Sequence, residues 1–266
     1  MKGIILSGGT ATRLFPLTAT TSKQLLPVYD RQMIFYPLNI LIKAGIKEIL
    51  IIVAPEHSGQ YLNLLGSIFE KQGIHLEFKV QKTPRGLADA FIVGENFIDD
   101  DNVTMILGDN ILEDNIYEQI KNFKKGGMIF AKEVPDDPTR YGIVEFDETG
   151  KAISIEEKPQ NPKSNYCVPG IYTYDNRVIE IAKSLTPSSR GEIEITDLNN
   201  KYLEIGELQV EKIKGAWLDA GTFDSLLEAN NVVKEKELYK KFDPLIDEAI
   251  QKFNEELQII AKKKLN

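Results

Sequence analysis

The sequence predicts an α/β protein built on a mainly parallel, doubly wound sheet that is flanked by helices. Short apolar runs alternate with longer runs of helical periodicity through the first half of the chain, which is the pattern of repeated βαβ units. The chain has 266 residues and is 42% hydrophobic, enough for a substantial core. A loop of small residues also follows the first apolar run, as is common where a parallel strand leads towards a helix.

The first half of the chain predicts the repeating elements of such a sheet. A strand at 2–6, a helix at 33–44 that Gly45 ends, and a strand at 48–53 form the first βαβ unit. The alternation continues with a helix at 61–71, a strand at 76–80, a helix at 87–97 and a strand at 103–107.

The character of the chain changes after residue 126. Apolar runs at 128–133, 142–146 and 153–157 are separated by turns such as 147–150. Short apolar runs joined by turns predict additional, partly antiparallel strands. Because no repeat or flexible linker interrupts this region, we expect it to complete one domain by lining a ligand cleft.

The C-terminal segment predicts an amphipathic helix. Asp243 can cap this helix, with Pro244 at its first position. Apolar residues then recur at helical spacing, namely Leu245, Ala249, Phe253, Leu257 and Ile260. Packing of this face on its own domain is the favoured interpretation, and a contact between subunits is the alternative.

Composition narrows the class of ligand. The net charge of -8 and the pI of about 5.1 argue against a general nucleic-acid or membrane-surface binder, but allow a local basic cleft for a small anion. The single cysteine, Cys167, excludes an internal disulfide, and no apolar run approaches membrane-spanning length. The N-terminus has no signal-peptide pattern, so we expect a cytoplasmic protein.

A loop with two cations follows the first strand. Gly8 and Gly9 can let backbone N–H groups approach a polyphosphate closely, and Arg13 and Lys23 can neutralise its charge. The loop matches neither the G-x-G-x-x-G nor the Gly-Lys-Ser/Thr phosphate motif. We interpret it as a nucleoside triphosphate site; the alternative is a strand-to-helix turn with incidental cations.

Two aspartates are candidate metal ligands. Asp109 follows the strand at 103–107, at the edge where open α/β sheets bind ligands. Its carboxylate suits Mg²⁺, which favours carboxylate and phosphate oxygens. The alternative is a turn Asp that caps a helix beginning near Glu113. Asp219 comes after a second short apolar run and is followed by a glycine and a predicted helix.

Eight motifs then occur in order along the chain. They are Gly8-Gly9-x-x-Thr12-Arg13-Leu14, Ser22-Lys23-Gln24-Leu25-Leu26-Pro27, Gly86-Leu87-Ala88, Leu107-Gly108-Asp109-Asn110, Arg140-Tyr141-Gly142, Glu156-Glu157-Lys158-Pro159, Arg190-Gly191-Glu192-x-Glu194-Ile195-Thr196-Asp197 and Trp217-Leu218-Asp219-x-Gly221-Thr222. Together they closely resemble the glucose-1-phosphate thymidylyltransferases, also called dTDP-glucose pyrophosphorylases. The resemblance implies the nucleotidyltransferase form of the Rossmann-like α/β fold.

The resemblance also implies a domain organisation. It covers about residues 1–233, which we predict to be one nucleotidyltransferase domain. Its nucleotide-binding part would be about 1–125 and its sugar-binding part about 126–233. Residues 234–266 would form a C-terminal helical tail. The family further implies a homodimer or homotetramer and a 6-deoxysugar route to surface polysaccharide, the dTDP-rhamnose pathway.

The implied reaction is Mg²⁺-dependent transfer of a nucleotidyl group from dTTP to glucose 1-phosphate, giving dTDP-glucose and pyrophosphate. Because the second pKa of a phosphate monoester is about 6, the sugar phosphate is already an anion at neutral pH and needs no strong general base. Two alternatives stay open. One is the same reaction with UTP, which differs from dTTP at the base by a single methyl group; the other is a non-catalytic sugar-nucleotide sensor or regulatory subunit.

The resemblance assigns roles residue by residue. The catalytic residues it implies are Arg13, Lys23, Asp109 and Lys158. The nucleotide ligands it implies are Gly8, Gly9, Arg13, Gln24, Gln81, Gly86 and Asp109. The sugar-phosphate ligands it implies are Tyr141, Gly142, Glu157, Lys158, Val168 and Arg190. The Mg²⁺ ligands it implies are Asp109 and Asp219.

Three positions depart from the family pattern. Ala11 stands in the phosphate loop where most relatives have glycine, and a methyl group is costly there if the backbone requires a positive φ. Arg85 precedes Gly86 in the base-facing loop. Pro169 stands in the expected sugar-pocket strand, where it removes an N–H donor. Among the expectations, the identity of the sugar phosphate depends most on this residue.

Overall fold

The computed structural model describes residues 1–9, 11–134 and 137–265. Its strands are β1 (Lys2–Ser7), β2 (Pro27–Val28), β3 (Arg31–Gln32), β4 (Glu48–Val53), β5 (His75–Val80), β6 (Val103–Leu107), β7 (Asn110–Leu112), β8 (Gly127–Glu133), β9 (Gly142–Phe146), β10 (Ala152–Glu157), β11 (Tyr166–Cys167), β12 (Ile171–Tyr174), β13 (Leu208–Ile213) and β14 (Trp217–Asp219). Its helices are α1 (Phe35–Lys43), α2 (Ser58–Leu65), α3 (Asp89–Val93), α4 (Glu95–Ile98), α5 (Tyr117–Asn122), α6 (Val178–Ser184), α7 (Ile195–Glu204), α8 (Phe223–Glu235) and α9 (Pro244–Leu265).

A mixed sheet with mainly parallel strands forms the centre of the fold. Its strand order is β10-β9-β11-β8-β12-β6-β1-β4-β5, and β13 pairs in parallel with β8. β1 is parallel to both β4 and β6, whereas β12 is antiparallel to both β6 and β8. The strands β9, β10 and β11 extend the sheet with antiparallel pairings. The predicted fold class is therefore confirmed, including the additional antiparallel strands.

Both faces of the sheet are buried at its central strands, such as β1, β4 and β6. Ile4 and Ile5 are adjacent on β1 and both fully buried, yet they belong to two separate hydrophobic clusters because successive strand residues point to opposite faces. The Ile5 cluster receives apolar side chains from α1, α2, α8 and α9. The Ile4 cluster receives them from α3, α4, α6 and α7. Helices on both faces keep the strands rigid where they carry the candidate site.

Element boundaries follow local chemistry. The strands predicted at 48–53, 103–107 and 142–146 are observed with those bounds. The single helix predicted at 87–97 is instead two short helices, α3 and α4, which meet at Gly94. A Cβ at Gly94 would lie 3.0 Å from Ile4 Cδ1, so this glycine allows the close approach of the helical segment to β1. The helix predicted at 61–71 was placed too late: α2 ends at Leu65.

The C-terminal helix packs on its own domain, as the favoured interpretation expected. Asp243 caps the first turn of α9, since its Oδ1 accepts a hydrogen bond of 3.0 Å from the Leu245 N–H. Ile246 and Ala249 are buried in the cluster that contains α1. The side chains of Leu257 and Ile260, which completed the predicted apolar face, lie outside the described part of the structure. Within the described residues, no helix is long and apolar enough to cross a membrane.

Candidate active site

A cavity of about 650 Å³ opens beyond the carboxyl end of β6. This is the position at which open α/β sheets bind ligands. Nine of the residues implied by the resemblance line it, namely Arg13, Asp109, Tyr141, Gly142, Glu157, Lys158, Val168, Arg190 and Asp219. The cavity therefore joins candidate sugar-phosphate residues from the second half of the chain to both candidate metal ligands.

A small second sheet brings the two aspartates together. β7 begins directly after Asp109 and pairs antiparallel with β14, which ends at Asp219. Asp219 lies opposite Asn110 in this pairing, and the Ala220 N–H donates a hydrogen bond of 3.3 Å to the Asp109 carbonyl oxygen. The alternative interpretation of Asp109 as a helix cap is wrong, because Asp109 precedes a strand and the next helix, α5, begins only at Tyr117.

The carboxylate pair is partly buried, and the cations Lys23 and Arg13 lie close to it. Burial would raise the pKa of Asp109, but the ammonium of Lys23, with which it forms an ion pair, holds that pKa below its usual range. The Asn110 Nδ2 group donates a further hydrogen bond of 3.1 Å to the same carboxylate. Burial, together with the negative charge of Asp109, raises the pKa of Asp219 to about 6. Lys23 and Arg13 each lower the pKa of Asp219, but burial and the charge of Asp109 outweigh them, so a further cation would stabilise the ionised pair.

The donor set fits Mg²⁺ bound together with a phosphate. Within the described residues, no group of three or more His, Cys, Asp or Glu side chains is arranged to hold a metal ion. Asp109 and Asp219 would therefore supply two carboxylates, and substrate phosphates and water the remaining ligands. Mg²⁺ is commonly bound in this way, through one or two carboxylates and several outside oxygens.

Arg13 reaches the carboxylate pair from the phosphate loop. It lies in a 3₁₀ turn, Thr12–Leu14, which the fully buried Leu14 anchors. Arg13 and Asp219 approach each other at Gly221: a Cβ on this glycine would lie 3.0 Å from Arg13 Nη2 and 3.2 Å from Asp219 Oδ1. Ala11 precedes the turn with φ 46° and ψ 34°. This residue therefore adopts a left-handed backbone conformation, which its Cβ makes unfavourable.

Gln24 lies beneath the loop rather than on the cavity wall. It is 3% exposed, and its Oε1 accepts hydrogen bonds from the Ser22 hydroxyl at 2.6 Å and the Tyr61 hydroxyl at 3.3 Å. Its Cγ would be 2.8 Å from a Cβ on Gly108. This network holds the turn that carries Lys23 against the loop containing Asp109. A contact between Gln24 and a nucleotide stays a prediction.

Four nucleotide candidates remain, of which Gly8 and Gly9 belong to the phosphate loop itself and Gln81 and Gly86 do not. A Cβ on Gly8 would lie 3.5 Å from Gln81 Oε1, which places this side chain next to the loop. Gly9 has φ +103°, a conformation that favours glycine. Gly86 has the same φ, and a Cβ there would lie only 2.4 Å from the Ile193 carbonyl oxygen. Gly86 thus permits close backbone packing against the segment that also carries Arg190.

Carboxylates hold the cations on the sugar side of the cavity. Arg190 donates a hydrogen bond of 2.7 Å to Glu194 and has a second carboxylate, Glu157, at 3.4 Å. Glu157 also accepts a hydrogen bond of 2.5 Å from Thr196 and lies 3.6 Å from Lys158 Nζ. Lys158 follows β10 with φ 45°. Its backbone N–H donates a hydrogen bond of 3.0 Å to the Tyr141 carbonyl oxygen. A bound phosphate would compete with these acids for both cations.

Backbone and aromatic contacts shape the rest of this wall. The Val168 N–H donates a hydrogen bond of 2.9 Å to the Gly142 carbonyl oxygen. The rings of Tyr141 and Trp217 meet edge to face with centroids 4.9 Å apart. The expectation that Pro169 stands within a strand is wrong: it lies in the break between β11 and β12, where it needs no ladder partner.

Thirteen further cavity residues were given no site role in the sequence analysis, although nine of them stand within the motifs quoted there. They are Leu87, Leu107, Asn110, Thr139, Arg140, Gly170, Tyr172, Glu192, Glu194, Ile195, Thr196, Asn199 and Trp217. Thr196 and Asn199 could have been found together, because positions i and i+3 of one helix share a face. Asn199 is 1% exposed, its Oδ1 accepts a hydrogen bond from Tyr174, and its Nδ2 has no partner within the described residues.

Comparisons with known proteins identify the family to which this sequence is similar. The sequence model of the nucleotidyl transferase family matches residues 2–236. The glucose-1-phosphate thymidylyltransferase of Neisseria meningitidis serogroup A is 52% identical over 240 residues, covering 88% of this chain and 83% of the relative. The enzyme of the same name from Mycolicibacterium smegmatis is 51% identical over 243 residues, covering 90% of this chain and 84% of the relative.

Solved structures show the same architecture. A protein from Bacillus anthracis, assigned as a glucose-1-phosphate thymidylyltransferase and solved with sucrose, is 44% identical with a TM-score of 0.81, covering 87% of this chain and 94% of its own. A UDP-glucose pyrophosphorylase in complex with UDP-glucose is 23% identical with a TM-score of 0.77, covering 88% of this chain and 98% of its own. The second likeness concerns the fold alone.

Proposed function

The chain belongs to the nucleotidyl transferase family, within its group of glucose-1-phosphate thymidylyltransferases, and we propose that it converts dTTP and α-D-glucose 1-phosphate into dTDP-glucose and pyrophosphate. One observation carries the proposal. A single cavity is lined both by the Asp109 and Asp219 carboxylates and by the two candidate sugar-phosphate cations, Lys158 and Arg190. Two phosphorylated substrates that react with each other need this combination.

The reaction is a displacement at the α-phosphorus of the nucleotide. A phosphate oxygen of glucose 1-phosphate forms the new bond to this phosphorus, and the bond to the β-phosphate bridging oxygen breaks as pyrophosphate leaves. The attacking oxygen is already ionised at neutral pH, since the second pKa of such a phosphate is about 6. The protein's task is therefore to align two anions and to stabilise the charge that moves to the leaving group.

Two pairs of cations would hold the two substrates. Arg13 lies on the phosphate loop and Lys23 contacts Asp109, so both would hold the triphosphate near the reacting phosphorus. Lys158 and Arg190 would hold the phosphate of the sugar. Because each of the last two cations has carboxylate neighbours, it is held near its working position before the substrate arrives.

Mg²⁺ would be held by Asp109 and Asp219. Bound there, the ion would neutralise phosphate charge in the transition state. The raised pKa of Asp219 beside Asp109 supports this assignment, because a bound cation would stabilise both carboxylates in their ionised form. Lys23 keeps Asp109 ionised and oriented through their ion pair.

The sugar would be held by neutral and acidic groups deeper in the cavity. Glu157 can accept hydrogen bonds from sugar hydroxyls while Thr196 fixes its carboxylate. The backbone at Gly142 and the side chain of Val168 would shape the wall, with Tyr141 beside them. Gly8, Gln81 and Gly86 would lie on the base side of the nucleotide.

Pyrophosphate release tests the proposal. The purified protein is incubated with glucose 1-phosphate and Mg²⁺, and with dTTP, UTP, dCTP, ATP or GTP in parallel. We expect turnover with dTTP. The isosteric Asp109→Asn variant should lose at least about a hundredfold in kcat, whereas Asp100→Asn, in an exposed turn, should match the wild type.

The other outcomes of this assay identify the alternatives. Preference for UTP would assign the protein to uridylyl transfer. Binding of nucleotide without pyrophosphate release, with every sugar phosphate offered, would contradict the enzyme proposal and favour the non-catalytic sensor. Assembly as a homodimer or homotetramer, a cytoplasmic location and a place in the dTDP-rhamnose pathway stay predictions; light scattering on the purified protein measures the assembly.

A further inference from the structure

A buried acid lies behind Gln81. Asp89 is the first residue of α3 and is 1% exposed. Its Oδ2 accepts a hydrogen bond of 2.7 Å from Gln81 Nε2, and its Oδ1 accepts one of 2.7 Å from Arg85 Nη2. Gln81 is itself 8% exposed. Neither Asp89 nor Arg85 has a role in the reaction proposed above.

The carboxylate determines which way the Gln81 amide faces. An ionised carboxylate can only accept hydrogen bonds, and the Arg85 guanidinium offsets its charge. If the amide were reversed, Oε1 would face Oδ2 with no proton between two buried acceptors, which is strongly unfavourable. The Nε2 group of Gln81 must therefore face Asp89, and Oε1 faces the phosphate loop, 3.5 Å from the Cβ position of Gly8.

Backbone hydrogen bonds hold the segment between Gln81 and Asp89 in place. The Ile193 N–H donates a hydrogen bond of 2.6 Å to the Arg85 carbonyl oxygen, and the Ala88 N–H donates one of 3.2 Å to the Ile193 carbonyl oxygen. Gly86 packs between them with no room for a Cβ. Asp89 is thus presented by a rigid segment and not by a free loop, as a positioning residue requires.

We infer that Asp89 is a positioning residue that makes Gln81 present an acceptor to the nucleotide base, and so selects bases with an N3–H donor. The inference rests on the proposed function, in which Gln81 contacts the base. Thymine and uracil carry N3–H on the edge that such an acceptor would meet. Cytosine carries an unprotonated N3 there, so its lone pair would face Oε1. This contact would make the protein discriminate dTTP and UTP from dCTP. It would not discriminate dTTP from UTP.

The test compares nucleotide binding by the wild type and by Asp89→Asn. Calorimetry measures Kd for dTTP and dCTP with each protein. Asparagine can donate as well as accept, so the Gln81 amide is free to reverse in the variant. We expect the wild type to prefer dTTP, and the variant to lose about tenfold of that preference, the value of one hydrogen bond. Asp100→Asn should keep the wild-type ratio.

Binding is measured because it does not depend on turnover. Absence of pyrophosphate release would contradict the proposed function, while an unchanged ratio of dCTP to dTTP dissociation constants in folded Asp89→Asn would overturn this inference alone. Equal wild-type affinity for both nucleotides, or affinity for neither, would also overturn it.

A second measurement needs no variant and applies even where Asp89→Asn fails to fold. Wild-type protein is titrated with N3-methyl-dTTP, which lacks the donor. We expect binding at least about tenfold weaker than for dTTP, and equal binding would contradict the inference.

Discussion

Asp219 lies directly opposite Asn110 in the antiparallel pairing of β14 with β7. The Asn110 side chain continues the connection towards Asp109 through a hydrogen bond of 3.1 Å to its carboxylate. Its Oδ1 also accepts hydrogen bonds from the Gly170 N–H at 2.9 Å and from Trp217 Nε1 at 2.6 Å. Asn110 therefore connects the carboxylate pair to the sugar side of the cavity.

Two substitutions of Asn110 should separate its support of the fold from its support of the site. Asn110→Ala leaves two N–H donors without a partner, and we expect the free energy of unfolding to fall by about 2–4 kcal/mol. Asn110→Asp keeps an acceptor for both donors but places a negative charge beside Asp109. We expect this variant to lose activity more than stability. Denaturant unfolding and pyrophosphate release measure the two effects, and equal loss of activity and stability in both variants would contradict this assignment.

The central parallel strands β1, β4 and β6 were predictable because both of their faces are buried. Runs that are almost entirely apolar, such as 49–53 and Val103–Leu107, then have no polar face to blur their ends. The short strands Asn110–Leu112 and Trp217–Asp219 were missed, although both lay within quoted motifs. A three-residue strand shows no periodicity, and its existence depends on a partner about a hundred residues away.

Individual candidate residues were easier to predict than their partners. Asp109 was chosen from a local pattern and Asp219 chiefly from the family resemblance, and the pairing of their strands follows only from the tertiary structure. Asn199 is buried beside the sugar end of the cavity with its Nδ2 unpaired within the described residues, but a lone asparagine in a helix carries no signal. Long-range pairing and burial, which sequence spacing does not encode, account for these omissions.

Gly221→Ala should impair activity without unfolding the protein. The backbone at Gly221 does not require a positive φ, so alanine fits there, but its Cβ would lie 3.0 Å from Arg13 Nη2. The arginine must then shift away from Asp219. We expect kcat/KM to fall about tenfold, with the free energy of unfolding within about 0.5 kcal/mol of the wild type. Gly59→Ala, in open space on α2, is the matched control and should retain full activity.

Ala11→Gly should stabilise the protein and improve nucleotide binding. A left-handed conformation costs alanine about 1–2 kcal/mol, of which the greater freedom of glycine in the unfolded chain returns a part. We expect a net gain of about 0.5–1 kcal/mol in the free energy of unfolding, and a lower KM for the nucleotide. Ala11→Val should change stability in the opposite direction, because a β-branched residue tolerates this conformation least. A lower free energy of unfolding in both Ala11→Gly and Ala11→Val would show that the left-handed conformation of Ala11 carries no strain.

Asp175 should make the stability of the fold sensitive to acid. Burial would raise the pKa of this carboxyl, but hydrogen bonds from Arg177 at 2.6 Å, the Gly126 N–H at 2.8 Å and the Tyr202 hydroxyl at 3.0 Å hold the pKa below its usual range. A carboxyl with a lowered folded-state pKa binds its proton more readily when unfolded. Its stabilisation is therefore complete above the unfolded pKa, about 4, and is lost as the pH falls through the folded pKa.

Asp175→Asn tests this acid sensitivity. We expect it to lower the free energy of unfolding by about 2–3 kcal/mol at pH 7, since hydrogen bonds to a charged acceptor are the stronger ones. The difference from the wild type should shrink as the pH is lowered below about 4, because the wild-type carboxyl then becomes protonated first in the unfolded protein and, at still lower pH, in the folded one. Urea unfolding at pH 7, 5 and 3.5 measures both values, with the exposed Asp100→Asn as the control. A difference that stays constant across this range would mean that Asp175 supports the fold by its shape and not by its charge.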